Sequence, residues 1–228
     1  MLGKVMASIR WLGHAAFEIN GDGKLILVDP YLTGNPMAPL KAAEISRADI
    51  VCVTHDHRDH LGDAIDICKR TGAIFVGISE LGAHVRSEGV NDVVAMNIGA
   101  TLEVKGIKIS MVPAFHSAGR GSPVGFVIEV ERSRIYHAGD TSLFFDMRTI
   151  GEFYKPQIAC LPVGGYYTMG PQEAAEAARL IMPKVVIPMH YKTFSVLAQS
   201  ADEFVRALKE RGFGGQVVVL EPGESYTF

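Results

Sequence analysis

The order of apolar and polar positions divides the chain into a strand-rich first part and a final third in which strands and helices alternate. Val5, Ala7, Ile9 and Trp11 alternate with other residues, as do Ala15, Phe17 and Ile19, which is the period of half-buried β-strands. Gly21-Asp22-Gly23 carries hairpin turn chemistry, and Leu25-Ile26-Leu27-Val28 follows it. That run is apolar on both faces and predicts a strand deep in a sheet. It stops at Asp29-Pro30, where a loop containing Gly34, Pro36 and Pro39 begins. Ile50-Val51-Cys52-Val53 predicts a second buried strand.

Leu61, Ala64, Ile65 and Cys68 fall at i, i+3, i+4 and i+7, the spacing of a helix closed near Gly72. A strand over 73–76 and a helix over 79–88, with Gly89 behind it, come next. Short strands are expected over 93–96, 101–105, 107–112, 124–130 and 134–136, the last two joined by a polar turn at Glu131 to Ser133. Leu143, Met147, Ile150 and Tyr154 then line one helical face, and 158–161 reads as a buried strand. Pro171 opens a helix that Pro183 stops. The run 185–187 is again a buried strand. Ser200 and Glu203 have capping-box spacing for a helix buried through Phe204, Val205 and Leu208 and ended by Gly212, before a strand over 217–220.

Meander strands with buried strands and interspersed helices predict two sheets packed face to face with helices outside, a four-layer α/β sandwich of αββα type. A doubly wound parallel sheet is the alternative, opposed by the many alternating strands before Tyr136. The length, 228 residues without linker or internal repeat, suits one domain over 1–228.

Composition removes several functions from this picture. The net charge is −3 and the Lys and Arg residues are scattered, so nucleic acid is disfavoured as a dedicated partner. Residues 1–7 lack a secretory leader, and no run approaches the roughly eighteen apolar residues of a membrane span. A cytoplasmic protein is expected. Cys52, Cys68 and Cys160 are far apart in apolar contexts, which indicates neither a disulfide framework nor a Cys-based zinc site.

Candidate chemistry concentrates in Thr54-His55-Asp56-His57-Arg58-Asp59-His60, where six of seven residues can be charged directly after a buried strand. Neutral imidazoles and ionised carboxylates at this density suit a divalent transition ion such as zinc. His116, Asp140 and His190 each follow an apolar strand as well. In layered α/β folds strand ends converge on one rim, and this rim has ligand-type groups enough for two ions.

Asp29 ending a strand, His55 to His60, His116, Asp140 and His190, in this order, resemble the motifs of the metallo-β-lactamase superfamily over nearly the whole chain. Trp11-Leu12-Gly13-His14-Ala15, Tyr136 to Thr141, Pro188-Met189-His190-Tyr191 and the tail Leu220 to Glu224 look like the small metal-dependent hydrolases related to ascorbate-6-phosphate lactonase. The resemblance implies a two-metal site. His55, His57 and His116 would hold one divalent ion, Asp59, His60 and His190 the other, with Asp140 and a water or hydroxide bridging them. Zinc is the first expectation for both, with manganese, nickel, iron or cobalt as alternatives. The implied activity is attack of hydroxide on a small ester, lactone or phosphoester. Asp59 would also pass a proton to the leaving group, and Asp29 would orient a ligating His.

His14 either reaches this pocket as a catalytic residue or caps the first strands, while His137 and His84 read as structural. Loops 31–41, 117–123, 164–170 and 191–194 are placed to select the substrate, a small and possibly anionic molecule. Arg120 and Lys192 are candidate anion contacts or solvated cations; Arg58 is expected to point away and has no assigned role. Tyr166-Tyr167 fits either the pocket or a homo-oligomer interface. Other functions compatible with the same motifs are a phosphodiesterase or nuclease, a flavodiiron-like redox module, and a non-catalytic metal-binding module. A nuclease would need an RNA-binding arm, and flavodiiron proteins have Glu where His57 stands and a flavin domain that would follow Phe228.

Overall fold

The structure, a computed structural model, describes residues 6–228, so the expectation for Val5 lies outside the described residues. Strands β1 (Ser8–Trp11), β2 (Phe17–Gly21) and β3 (Lys24–Val28) form the expected meander. The β2–β3 hairpin turns on Asp22 and Gly23, both at positive φ as a tight two-residue turn requires. Strand β4 (Ile50–Cys52) is fully buried and pairs in parallel with β3.

The His-rich segment then makes a single helical turn, α1 (Arg58–Leu61), which Gly62 ends. Gly62 has φ +42, and a β-carbon there would sit 2.6 Å from the Pro30 carbonyl oxygen, so only glycine lets the loop after β3 press against this turn. Helix α2 (Ala64–Thr71) buries Ala64, Ile67 and Cys68; Ile65, expected on that face, is half-buried instead. Strand β5 (Ile74–Ile78), α3 (Ser79–Ser87) and β6 (Val93–Met96) complete this half.

The second half starts with an antiparallel meander of β7 (Thr101–Val104), β8 (Ile107–Pro113), β9 (Val124–Val130) and β10 (Ser133–His137). The helix expected from Leu143 is short. It comprises α4 (Met147–Thr149) continued by a π turn over Ile150–Tyr154, with Leu143 before it. Strand β11 (Ile158–Pro162) and α5 (Pro171–Ile181) follow. Pro171 opens α5, and Ala174, Ala175, Ala177 and Ala178 are buried on it, small enough to let it close on β11.

Strand β12 (Val185–Met189) leads to α6 (Asp202–Glu210), which packs against α5. The expected capping box is absent: α6 starts one residue later, and the Ser200 hydroxyl bonds to Asp202 rather than to the Glu203 amide. The strand expected over 217–220 shrinks to β13 (Gln216–Val217). A strand not foreseen, β14 (Ser225–Thr227), returns to the first sheet and pairs antiparallel with β1.

The strand order is β14-β1-β2-β3-β4-β5-β6 in one sheet and β13-β12-β11-β10-β9-β8-β7 in the other. Apolar residues from both sheets make one continuous buried cluster. Direct contacts also cross between them: the Val124 amide donates to the Thr54 carbonyl at 3.1 Å, and His137 Nε2 donates to the Ala15 carbonyl at 2.9 Å. Helices α2 and α3 lie on the first sheet and α5 on the second. This is the αββα arrangement, and the doubly wound alternative is ruled out by two separate mixed sheets. No helix among the described residues is long and apolar enough to cross a membrane.

Candidate metal centre

Every candidate site residue lies just past the C-terminal end of a strand. His14 follows β1, Asp29 follows β3, and His55 to His60 follow β4; His116, Asp140 and His190 follow β8, β10 and β12. The pairings give β1, β3 and β4 one common direction, and β8, β10 and β12 another, so three ends from each sheet open on a shared rim. Gly139 allows the two rims to touch. Its φ is +62, and a β-carbon there would lie 2.7 Å from the Val124 carbonyl oxygen and 2.9 Å from Thr54 Cβ. Of the site residues on these strand ends, His14, Asp29 and His190 take positive φ values of 55°, 46° and 56°. Backbone strain of this kind, of order 1–3 kcal/mol each, persists where surrounding contacts fix the residue.

Asp29 anchors the chain of polar contacts from below. Fully buried, it accepts the Thr54 amide at 2.8 Å, the Thr54 hydroxyl at 2.7 Å and His60 Nδ1 at 2.7 Å. Burial would raise its pKa, but the charge and hydrogen bond of His60 outweigh that and hold it below the ordinary carboxylate value. The Thr54 proton is committed to Asp29, so the Thr54 oxygen accepts from His55 Nδ1 at 3.0 Å. His55 is thereby left with a lone pair on Nε2, which faces His57 Nδ1 at 3.0 Å. Burial, reinforced by His60, lowers the His55 pKa to about 3, so the ring stays neutral and able to donate that pair.

His60 is arranged by the same logic. With Nδ1–H given to Asp29, its Nε2 faces Asp140 Oδ1 at 3.1 Å, yet no hydrogen bond forms between them. His190 Nε2 lies 3.1 Å from Asp140 Oδ2, and both nitrogens of its buried ring lack a hydrogen-bond partner. His116 Nε2 is 3.6 Å from the same carboxylate oxygen.

These orphaned, converging acceptors test whether a cation fits. Lone pairs buried face to face at about 3 Å are costly unless a positive charge lies among them. Burial opposes a charged His60, but the Asp140 and Asp29 carboxylates overcome it and raise its pKa well above that of free imidazole, so these carboxylates draw a positive charge to this point, a proton when no ion is bound. Asp140 is driven the other way: burial would raise its pKa, and His190 and His60 take it well below the ordinary value. Ligand atoms within 4.8 Å of one another form three overlapping groups: His55, His57 and His116; His14, Asp59, His60 and His190; and His55, His60 and Asp140. The residues present fit divalent metal.

All seven residues expected as ligands therefore meet on this rim, and His14 joins them. Its ring is buried, 3.9 Å centroid to centroid from His190, with Nδ1 2.9 Å from Thr193 Oγ1 and Nε2 3.1 Å from Asp59 Oδ2. Burial, aided by His190, depresses its pKa to about 4. Asp59 remains ionised: burial would raise its pKa, but the His14 hydrogen bond and His60 lower it far below the usual range. His137 is structural, held between the Ala15 carbonyl and the Gly139 amide. His84 sits on α3, away from this rim and 4.0 Å from Glu88. Sequence reasoning assigned no role to Thr54 or Thr193. A buried threonine between an apolar strand and the first His was a usable signal for the former; nothing marks the latter.

Outside the ligands a cleft of about 720 Å³ opens, lined among others by Tyr31, Arg58, Asp59, Asp140, Tyr167 and Phe194. Two expectations change here. Arg120 and Lys192 are engaged with carboxylates, Asp56 at 3.1 Å and Glu221 at 3.8 Å, whereas Arg58 lines the cleft.

A family model described as Beta-lactamase superfamily domain matches residues 8–190. The chain belongs to the metallo-β-lactamase superfamily. Several relatives match nearly the whole of it. A UPF0173 metal-dependent hydrolase of Methanopyrus kandleri is 52% identical over 227 residues, covering 96% of this chain and 98% of its own. One of Caldivirga maquilingensis is 48% identical over 221 residues, covering 96% and 97%. Among solved structures, Igni18, a metallo hydrolase from Ignicoccus hospitalis, superposes with a TM-score of 0.92 at 38% identity, covering 98% of this chain and 99% of that one.

Proposed function

We propose that this protein, a metal-dependent hydrolase of the metallo-β-lactamase superfamily, holds two divalent ions and cleaves a small ester, lactone or phosphoester. The observation that carries the reading is the set of buried, unpartnered atoms, His60 Nε2, Asp140 Oδ1 and both nitrogens of His190, at the base of an open cleft. His55, His57 and His116 would hold one ion and Asp59, His60 and His190 the other, with Asp140 shared; zinc suits this donor set, and manganese, nickel or iron are alternatives. Such ions supply Lewis acidity and a water acidic enough to act as nucleophile near neutral pH.

The remaining chemistry belongs to the chain itself. Asp29 and Thr54 fix the tautomers of His60 and His55, so that each presents Nε2 to the centre. His14, neutral at pH 7, donates from Nε2 to Asp59 and accepts at Nδ1 from the Thr193 hydroxyl. Asp59 is partly exposed on the cleft wall. Ionised at the start, it takes a proton from the attacking water and returns it to the leaving group. A cleft of about 720 Å³ falls in the size range of small-molecule sites.

Metal-reconstituted protein should be screened with sugar lactone phosphates, simple esters and phosphodiesters, with His190→Ala as control. Turnover of an ester or lactone that falls at least a hundredfold in the control supports the reading. Hydrolysis of phosphodiesters alone would turn it toward a nuclease, and inertness of fully loaded protein would overturn it. Asp59→Asn should cost about 10²–10⁴ in kcat with both ions retained; undiminished turnover would remove Asp59 from the proton path.

A further inference from the structure

Among the described residues, Arg58 is the one lysine or arginine lining the cleft, and it has neither a hydrogen bond nor a carboxylate within salt-bridge distance. Other cations near the rim are spoken for. Arg120 is paired with Asp56 and Lys192 with Glu221. The carboxylates that line the cleft with Arg58 are engaged elsewhere: Asp59 is held by His14, and Asp140 faces His60 and His190. The one-turn helix α1 imposes this division. Asp59 and His60 point into the centre, and Arg58, about 100° from Asp59 and about 200° from His60 around the helix, is left on the exposed side.

The guanidinium lies against Gly34, 3.7 Å from the place a β-carbon would occupy there. The Tyr31 hydroxyl is committed to the Gly34 carbonyl at 2.7 Å, so it offers Arg58 no anion. The remaining walls are largely apolar: Tyr31, Tyr167, Phe194 and Val196. Tyr167 and Val196 are themselves 54% and 49% exposed, so this surface is open to a ligand.

We propose that Arg58 recognises an anionic group on the substrate, a carboxylate or a phosphate, while an apolar body lies along the aromatic wall and the scissile bond reaches the histidines. The assignment rests on the hydrolase reading given above and narrows its substrate class. The planar fork of arginine pairs with either oxyanion through two parallel N–H bonds, which a lysine cannot reproduce.

The test is calorimetric binding to zinc-loaded protein of phenylphosphonate, phenylacetate and neutral phenylacetamide, none of them hydrolysable at a phosphoester or carboxylic ester. Wild type should bind at least one anion and prefer it to the amide by tenfold or more. Arg58→Ala should erase that preference, and Arg58→Lys should restore only part of it. Arg148→Ala, an equal change of charge on a surface helix, should leave it intact. Which anion binds tighter decides between phosphate and carboxylate. An unaltered preference in Arg58→Ala, or the lack of one in wild type, overturns the proposal. Arg58-dependent binding without turnover of any ester, lactone or phosphoester would instead leave the anion site standing and remove the hydrolase reading.

Discussion

Asp29 accepts three hydrogen bonds from a fully buried position and touches no solvent. Removing its carboxylate leaves Thr54 and His60 donors without partners, and frees the His60 ring to rotate. Asp29→Ala is therefore expected to weaken metal affinity about 10–100-fold, measured by competition with a chromophoric chelator, with turnover at saturating metal less affected. A second carboxylate, Asp49, works on stability alone. It accepts the Leu25 amide at 2.9 Å and Arg47 at 2.8 Å, and although burial would raise its pKa these bonds lower it. A folded pKa below the unfolded one means that the contribution is present above the unfolded value and disappears as pH falls through the folded value. Asp49→Ala should cost about 1 kcal/mol in urea unfolding at pH 7, and the gap to wild type should close as pH is taken from about 5 to about 2. A gap that widens in acid would contradict the assignment.

Strand β14 shows what an element contributes when it arrives from far along the chain. Ser8 pairs with Thr227, Ile9 with Tyr226 and Arg10 with Ser225, and Trp11 exchanges backbone hydrogen bonds with Glu224 and Gly223. Deleting residues 225–228 opens the edge of β1, whose end carries His14. The melting temperature should drop on the order of 5–10 °C, and light scattering should report edge-to-edge association. Nothing local announces this strand, since Ser225-Tyr226-Thr227 is short and its partner lies more than 200 residues away. Elements specified by their own neighbours were legible: the Asp22-Gly23 hairpin, the doubly apolar β3 and β4, and α5 between its two prolines. The capping box was not, because Asp202 competes for the Ser200 hydroxyl. For the site, spacing and strand ends disclosed the histidines and carboxylates. That His14 holds Asp59, or that Arg120 is neutralised while Arg58 is free, depends on contacts that only the folded chain creates.

At the scale of the whole molecule, both sheets share one apolar cluster and the centre draws on strand ends from each, so we propose that they unfold together as one domain. Circular dichroism and fluorescence of Trp11, buried and stacked on Tyr191 at 5.3 Å, should report coincident urea transitions. Chelation should lower the melting temperature, with saturating zinc restoring it, because an ion bound only by the folded state adds its binding free energy to stability.

Asp56 gives this unity a mechanical form. It stands between His55 and His57 in the chain, yet its carboxylate reaches across to the Gly119 amide at 2.7 Å and to Arg120, in the loop that begins with His116. The strap bearing one imidazole is thus buckled to the turn bearing the other two. A substitution at Asp56 would loosen that buckle and shift the gap between those imidazoles without replacing any of them.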